Sequence, residues 1–253
     1  MHKPKIFISH ITEEKELARI LKEEISKAFL GLPEIFVSSD AASISVGAKW
    51  LDRIDRSLKD AQIILLLCSQ NSVKRPWINF EAGAGWVKGI PIVPICHTDI
   101  NPVELPIPLN MLQGIKANNR NDLEKIIDLV ARQLGAQFKP NLEYERIIKE
   151  ISDFETNYGI IQVAKYHVNQ IIKIEPQAAS LFQVTQQYSN GSGFLSDIVI
   201  DKLKPHLEAL KNLDIIDFSI GGNTRFTASG VELEFKMIVH QKYYDIAEKV
   251  MES

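Results

Sequence analysis

Short apolar runs that end in polar loops alternate with stretches of helical spacing through the first half of the chain. The runs cover residues 5–10, 34–38, 61–69 and 90–96. The run at 61–69 is the most continuous, as expected for a central strand that is covered on both faces. Between the first two runs, apolar residues from Leu17 to Ile25 recur every three or four positions, which predicts a helix.

This alternation predicts an α/β fold of the flavodoxin-like type, with a parallel five-stranded sheet and helices on both faces. Residues 112–117 are expected to form the short fifth strand, followed by a helix that Asp122 or Asn121 caps and Gly135 ends. Residues 136–142 are the predicted linker. We therefore place the first domain at residues 1–138 and the second at 139–253.

The second domain is expected to be mostly helical, with one β-hairpin. Helices are predicted over 142–154, 160–174 and 203–213, with a weaker helical signal at 176–190. Residues 189–193 are small and polar and predict a flexible break. Gly221-Gly222-Asn223 predicts a hairpin turn, and a closing helix is expected from Thr227 or Ser229 to Met251. This order resembles a winged-helix module with a sensing or assembly role.

Charge and composition narrow the classes of partner. The net charge is −3 and the excess of acids falls in the second half, so nucleic-acid binding is disfavoured against protein contact or oligomerisation. The N-terminus lacks the apolar segment of a signal peptide, and no apolar run reaches the ~18 residues that span a bilayer. We expect a cytoplasmic protein without membrane contact. Cys68 and Cys96 each end an apolar run and are expected to be reduced core residues.

The stretch from Arg75 to Trp86 is the most informative for function. Pro76 suits the first position of a helix, and Trp77 and Glu81 are four residues apart and therefore share a helix face. In an open parallel sheet, ligands bind beyond the carboxyl ends of the strands, and this helix begins at that edge. The pattern fits a ligand site with a carboxylate beside an indole. On its own, the pattern favours a buried or solvated helix that carries one capped acid.

Five blocks of the first half, taken in order, resemble a bacterial-type TIR (Toll/interleukin-1 receptor) domain. The blocks are Phe7-Ile8-Ser9-His10, Phe36 to Trp50, Ala61 to Ser69, the Trp77 and Glu81 pair, and Ile90 to Ile95. The resemblance covers a little over half of the chain and does not reach the second domain. Many TIR domains of this type cleave NAD at the nicotinamide–ribose bond, so the resemblance implies that NAD is the substrate and that no metal is needed.

The resemblance also implies roles for particular residues. The family's catalytic glutamate follows a tryptophan by four positions, which is Glu81 here. Its pocket uses the loops after the first two strands, which are His10 to Thr12 and Asp40 to Trp50. Some members carry arginines after the first strand, whereas this chain has Ile11 and Thr12. Activation by self-association and a role in antiviral defence or cell death are further expectations from the family.

Each remaining candidate has a functional and a structural interpretation. Trp77 either stacks on a ligand ring or belongs to the core, and Asp40 and Ser43 either line the pocket or only shape a turn. His10 either contacts the ligand or simply ends a strand. Trp50 is favoured as a residue packed under the loop, and Ser69 as a loop cap at the tip of the central strand.

Two other functions stay open from the sequence. One is a non-enzymatic TIR scaffold or adaptor that only pairs with other TIR domains. The other is an N-glycosidase similar to nucleoside deoxyribosyltransferases, which would act on nucleosides instead of NAD. The second domain is expected to receive a protein or small-molecule activator.

Overall fold

The computed structural model describes residues 4–38, 56–183, 189–228 and 230–251, the side chains of 248–251 excepted. The chain divides into two compact units, residues 1–156 and residues 157–252. The predicted domain boundary after residue 138 stays a prediction. Asp40, Ser43 and Trp50 lie outside the described residues.

The first unit is built on a parallel sheet of five strands. They are β1 (Lys5–Ser9), β2 (Glu34–Ser38), β3 (Ile63–Cys68), β4 (Ile92–Cys96) and β5 (Ile115–Lys116). Their order is β2-β1-β3-β4-β5, and every adjacent pair is parallel. All six residues of β3 are buried, because the middle strand is covered on both faces. The predicted α/β fold with a five-stranded parallel sheet is confirmed.

In the described part of the first unit, residues 56–60 are helical, and three further helices follow strands β1, β3 and β5. They are α1 (Lys15–Ala28), α2 (Pro76–Lys88) and α3 (Arg120–Leu134). Pro76 occupies the start of α2 as predicted, and Gly135 ends α3 in the left-handed conformation at φ 64°. The predicted cap of α3 was wrong by a few residues. Asn119 caps it, because its side chain accepts a hydrogen bond from the Asp122 amide at 3.1 Å.

A buried glycine sets the distance between α2 and the sheet. A methyl group at Gly85 would lie 2.6 Å from Ile64 Cδ1 and 2.9 Å from Ile92 Cγ1. The helix therefore packs directly on β3 and β4 at this point. Gly83, half a turn away, is exposed and has no such neighbour within 4 Å.

Helix α4 (Tyr144–Ile174) runs from the first unit into the second. It is continuous, whereas the sequence predicted two helices. The second unit continues with a 3₁₀ helix (Pro176–Phe182), β6 (Ser189–Ser196), α5 (Asp197–Asn212), β7 (Ile216–Thr227), β8 (Gly230–Val239) and α6 (Gln241–Met251). Its three strands form an antiparallel sheet in the order β6-β8-β7. The predicted helical region with an antiparallel hairpin is confirmed in outline.

Three details of the second half were predicted wrongly. Residues 189–193 belong to strand β6 and are not a flexible break. Gly221 and Gly222 have φ values of 99° and 107° and form an irregularity inside β7, at a register shift between Ile220 and Thr224, and the hairpin turn lies after Thr227. Residues 230–239 form a strand, so the closing helix begins only at Gln241.

The helices of the described residues lack an apolar stretch of the length that a membrane span requires.

Candidate functional site

Glu81 lies in a completely buried position where α2 meets the end of β1. Its side chain is 0% exposed. The Ser9 hydroxyl donates a hydrogen bond to Glu81 Oε2, and the Trp77 indole Nε1 donates one to Glu81 Oε1 at 2.7 Å. An indole N–H only donates, so Glu81 presents an acceptor oxygen to it. Two donors thus fix the orientation of this carboxylate.

The strand pattern explains why Ser9 meets Glu81. Alternate residues of a strand point to the same face, so Ser9 faces the same side as Phe7. Phe7 belongs to the core cluster that also contains Ile78 and Ala82 of α2. Ser9 is therefore the last residue of β1 on the face covered by α2, and Glu81 is the acid that α2 brings to it.

A second buried acid, Glu14, joins three loops at the carboxyl ends of the strands. Its Oε2 accepts the Ile11 amide at 3.1 Å, and its Oε1 accepts the Ser69 hydroxyl at 2.7 Å. His97 Nε2 lies 3.0 Å from the same Oε1, and both side chains are 0% exposed. Because the network ties the turns after β1, β3 and β4 together, it holds the rim on which the Glu81 site is built.

The first turns of α4 hold one of these loops from outside. Thr98 adopts φ 55°, a left-handed conformation that is unfavourable for a β-branched residue. Glu155 accepts the Thr98 amide at 2.9 Å and the Asn118 side-chain amide at 2.6 Å. His97 places its Nδ1 3.0 Å from the Thr98 hydroxyl and its ring 5.6 Å from the Phe154 ring. The strained turn is therefore fixed by both side-chain and backbone contacts.

The remaining predicted site residues are placed as follows. His10 is buried, and its Nδ1 lies 2.6 Å from the Ile11 carbonyl oxygen. Thr12 begins the short 3₁₀ turn before α1 and is half-buried. Ser69 belongs to the Glu14 network and also accepts the Ser72 amide at 3.2 Å, as a loop cap does. The structure thus brings Trp77 to Glu81 and Ser69 to Glu14.

Trp77 packs against the core and also contacts the carboxylate of the candidate site. Its ring packs against the core cluster and stacks on Phe80 with 5.0 Å between ring centroids, while its N–H reaches Glu81. Phe80 is 58% exposed, so the aromatic pair extends from the core to the surface.

Three residues of these clusters were not selected from the sequence. They are Ser9, which entered only as part of a family block, and Glu14 and His97, which were not among the candidate site residues. Their positions could have indicated them as site residues, because each lies at the carboxyl end of a parallel strand or in the turn that follows it. Their pairing could not be read from spacing, because the partners are 55 to 83 residues apart in sequence.

The two cysteines are buried and unoxidised. Burial raises the pKa of the Cys68 thiol well above its ordinary value and raises the pKa of Cys96 to about 12. Both therefore stay protonated at neutral pH and behave as core residues. Across the described part of the chain, no group of three or more histidine, cysteine or acidic side chains is arranged to hold a metal ion.

The first unit is a doubly covered parallel sheet with buried acids at the carboxyl ends of its strands. A comparison with protein families matches residues 6–130 to the TIR domain. The chain therefore contains a TIR domain, which extends from β1 into α3. A comparison with curated proteins gave no significant match.

Proposed function

We propose that the TIR domain hydrolyses NAD at the nicotinamide–ribose bond, with Glu81 as the catalytic carboxylate. The observation that supports this proposal most strongly is the position of Glu81, oriented by Ser9 and Trp77 beside the carboxyl end of β1. Ligands of open parallel sheets bind at this edge.

Cleavage of the nicotinamide–ribose bond requires mainly one negative charge of the protein, placed next to the ribose. Nicotinamide carries a positive charge in NAD and leaves as a neutral molecule, so no general acid is needed. The ribose develops an oxocarbenium-like transition state, as in glycoside hydrolysis. A fixed carboxylate stabilises that charge without reorganising during the reaction.

NAD can contact the Glu81 carboxylate only if the site opens, because this carboxylate is fully buried. A ribose hydroxyl has the same donor and acceptor capacity as the hydroxyl of Ser9. In our proposal, the ribose takes over the Ser9 hydrogen bond while the Trp77 bond to the other oxygen keeps the carboxylate in place.

TIR domains commonly self-associate, and we include this in the proposal: assembly of TIR domains brings the site into its active form. A cytoplasmic location and a role in antiviral defence or cell death belong to the same proposal. The second unit then acts as the sensing or assembly module.

A second candidate function is a TIR scaffold without catalysis. The same burial favours it, because an acid that is 0% exposed with both oxygens hydrogen-bonded serves equally well as an internal support of α2. The scaffold predicts self-association without any consumption of NAD.

The experiment that tests these functions incubates the full chain with NAD over a range of protein concentrations and measures released nicotinamide by chromatography. We expect release that rises more steeply than linearly with protein concentration, as self-association requires. A parallel incubation with a purine deoxyribonucleoside detects the N-glycosidase alternative. Concentration-dependent oligomers that release no base from either substrate would favour the scaffold.

A matched pair of variants assigns the acid. Glu81→Gln removes the negative charge, and Glu34→Gln makes the same change at the opposite end of the sheet, where the side chain is 60% exposed. We expect Glu81→Gln to lower nicotinamide release by about 100-fold or more, on the order of the loss of one transition-state stabiliser, and Glu34→Gln to leave it unchanged.

A further inference from the structure

A cavity of about 400 Å³ lies within the second unit, between its three-stranded sheet and its helices. The end of α4, the 3₁₀ helix, β6, α5 and β8 all contribute to its lining. Its volume falls in the range of roughly 300–1,000 Å³ that is typical of small-molecule sites.

Two glycines of β6 create this space. Gly191 pairs with Met237 of β8, and Gly193 pairs with Phe235. Directly paired residues share a face of the sheet, so this face carries large side chains on β8 and none on the neighbouring positions of β6. A methyl group at Gly191 would lie 2.8 Å from Leu181, whereas at Gly193 it would meet nothing within 4 Å. The cavity is therefore closed beside Gly191 and open beside Gly193.

The floor of the cavity is apolar and its rim is polar. Ile171, Leu203, Leu207 and Met237 line it and are each almost fully buried. The exposed Ser180 lies at the rim, whereas Asn190 and Ser192 contribute backbone there, because their side chains point to the face of β6 opposite to Gly191 and Gly193. An apolar floor with a few polar groups at the mouth is the usual composition of a ligand pocket.

Glu175 is the only charged residue among the described residues that line the cavity. Its carboxylate accepts the Gln177 amide at 3.3 Å and makes no further hydrogen bond or ion pair within the described part of the chain. No lysine, arginine or histidine of that lining faces it, so the site repels phosphates and carboxylates and favours a cation.

We propose that this cavity binds a small cationic amphiphile, an apolar ring joined to an ammonium group. The ring occupies the space beside Gly193 against Phe235 and Met237, and the ammonium group binds Glu175. The inference concerns the second unit alone and does not depend on the proposed NAD hydrolysis. We expect NAD and other nucleotides, which carry negative phosphates, not to bind this cavity.

Methionine methyl NMR of the full chain tests the proposal, with tryptamine as the probe. The chain has four methionines. Met237 lines the cavity and Met111 belongs to the first unit, where it is 66% exposed. We expect tryptamine to shift the Met237 methyl signal saturably and to leave the Met111 signal in place. Indole-3-propionate and AMP, which carry negative charge, are expected to shift neither.

Three variants distinguish the cavity from non-specific binding. Gly193→Leu places its side chain in the open space, where its Cβ meets nothing within 4 Å, and is expected to abolish the Met237 shift while the melting temperature shows that the chain stays folded. Glu175→Gln is expected to weaken tryptamine binding about tenfold, the effect of one charge-assisted hydrogen bond. Glu232→Gln removes a half-buried acid of β8 that does not line the cavity and is expected to retain full binding. The proposal is wrong if tryptamine leaves the Met237 signal in place, or if Gly193→Leu binds tryptamine as the unmodified chain does.

Discussion

The two glycines of α2 allow a paired test of how tightly this helix packs on the sheet. Gly85→Ala places a methyl group 2.6 Å from Ile64 Cδ1, and Ile64 is fully buried in the central strand. Adding a methyl group to a packed core costs about 1–3 kcal/mol. Replacing glycine by alanine within a helix returns about 0.5–1 kcal/mol. We expect Gly85→Ala to lower the free energy of unfolding by about 1–2 kcal/mol.

Gly83→Ala is the matched control. Its methyl group meets nothing within 4 Å, so only the gain in helix propensity remains and we expect stabilisation by about 0.5–1 kcal/mol. Urea unfolding followed by tryptophan fluorescence measures both variants in the first unit, because all three tryptophans lie in residues 1–156. Equal unfolding midpoints for the two variants would refute the close packing of α2 on β3.

Two further predictions concern hydrogen bonds to the buried acids Glu81 and Glu24 of the first unit. Ser9→Ala removes one of the donors to Glu81 and is expected to cost about 1.5–3 kcal/mol in urea unfolding, the range for hydrogen bonds to charged groups; an unchanged midpoint would contradict the bond. Burial alone would raise the pKa of Glu24, but hydrogen bonds from Lys27 and Arg146 outweigh it and lower that pKa below its ordinary value of 4.5. The stability that this ionised carboxylate contributes is therefore present above pH 4.5 and is lost as the pH falls through the lowered pKa. Glu24→Gln should be less stable than the unmodified chain near pH 7, and the difference in melting temperature should shrink in acid; a difference that persists there would contradict the assignment.

The elements of the first half were predictable because the local sequence pattern of each segment agrees with the strand or helix that it forms. The apolar run at 61–69 could hardly be anything other than a buried strand, and it became β3 (Ile63–Cys68). The four-residue spacing of Trp77 and Glu81 placed them on one helix face, and the structure joins them by a hydrogen bond.

Prediction failed in the second half where local signals were ambiguous. Gly221 and Gly222 supply positive φ values, which serve a hairpin turn and a strand irregularity equally well, so sequence could not separate the two. Strand β8 was different, because its apolar residues Val231, Leu233, Phe235 and Met237 alternate with charged ones. That period of two was present in the sequence and should have outweighed the helix propensity of Glu232, Glu234 and Lys236 between them.

Only those contacts of the candidate site that lie within one segment were predictable. Contacts within one helix turn can be read from spacing, whereas Ser9 with Glu81 and Glu14 with His97 depend on the register of separate strands. The sequence alone predicts that such residues reach the same edge of the sheet. It does not determine which of them meet.

The most direct test of the central claim is the rate of nicotinamide release from NAD by the unmodified chain and by Glu81→Gln, at equal concentrations of folded protein. The amide keeps the size of the side chain and an acceptor oxygen for the Trp77 indole, so only the negative charge at the ribose is removed. We expect release by the unmodified chain and a loss of about 100-fold or more in Glu81→Gln. Equal release by the two proteins would contradict this expectation.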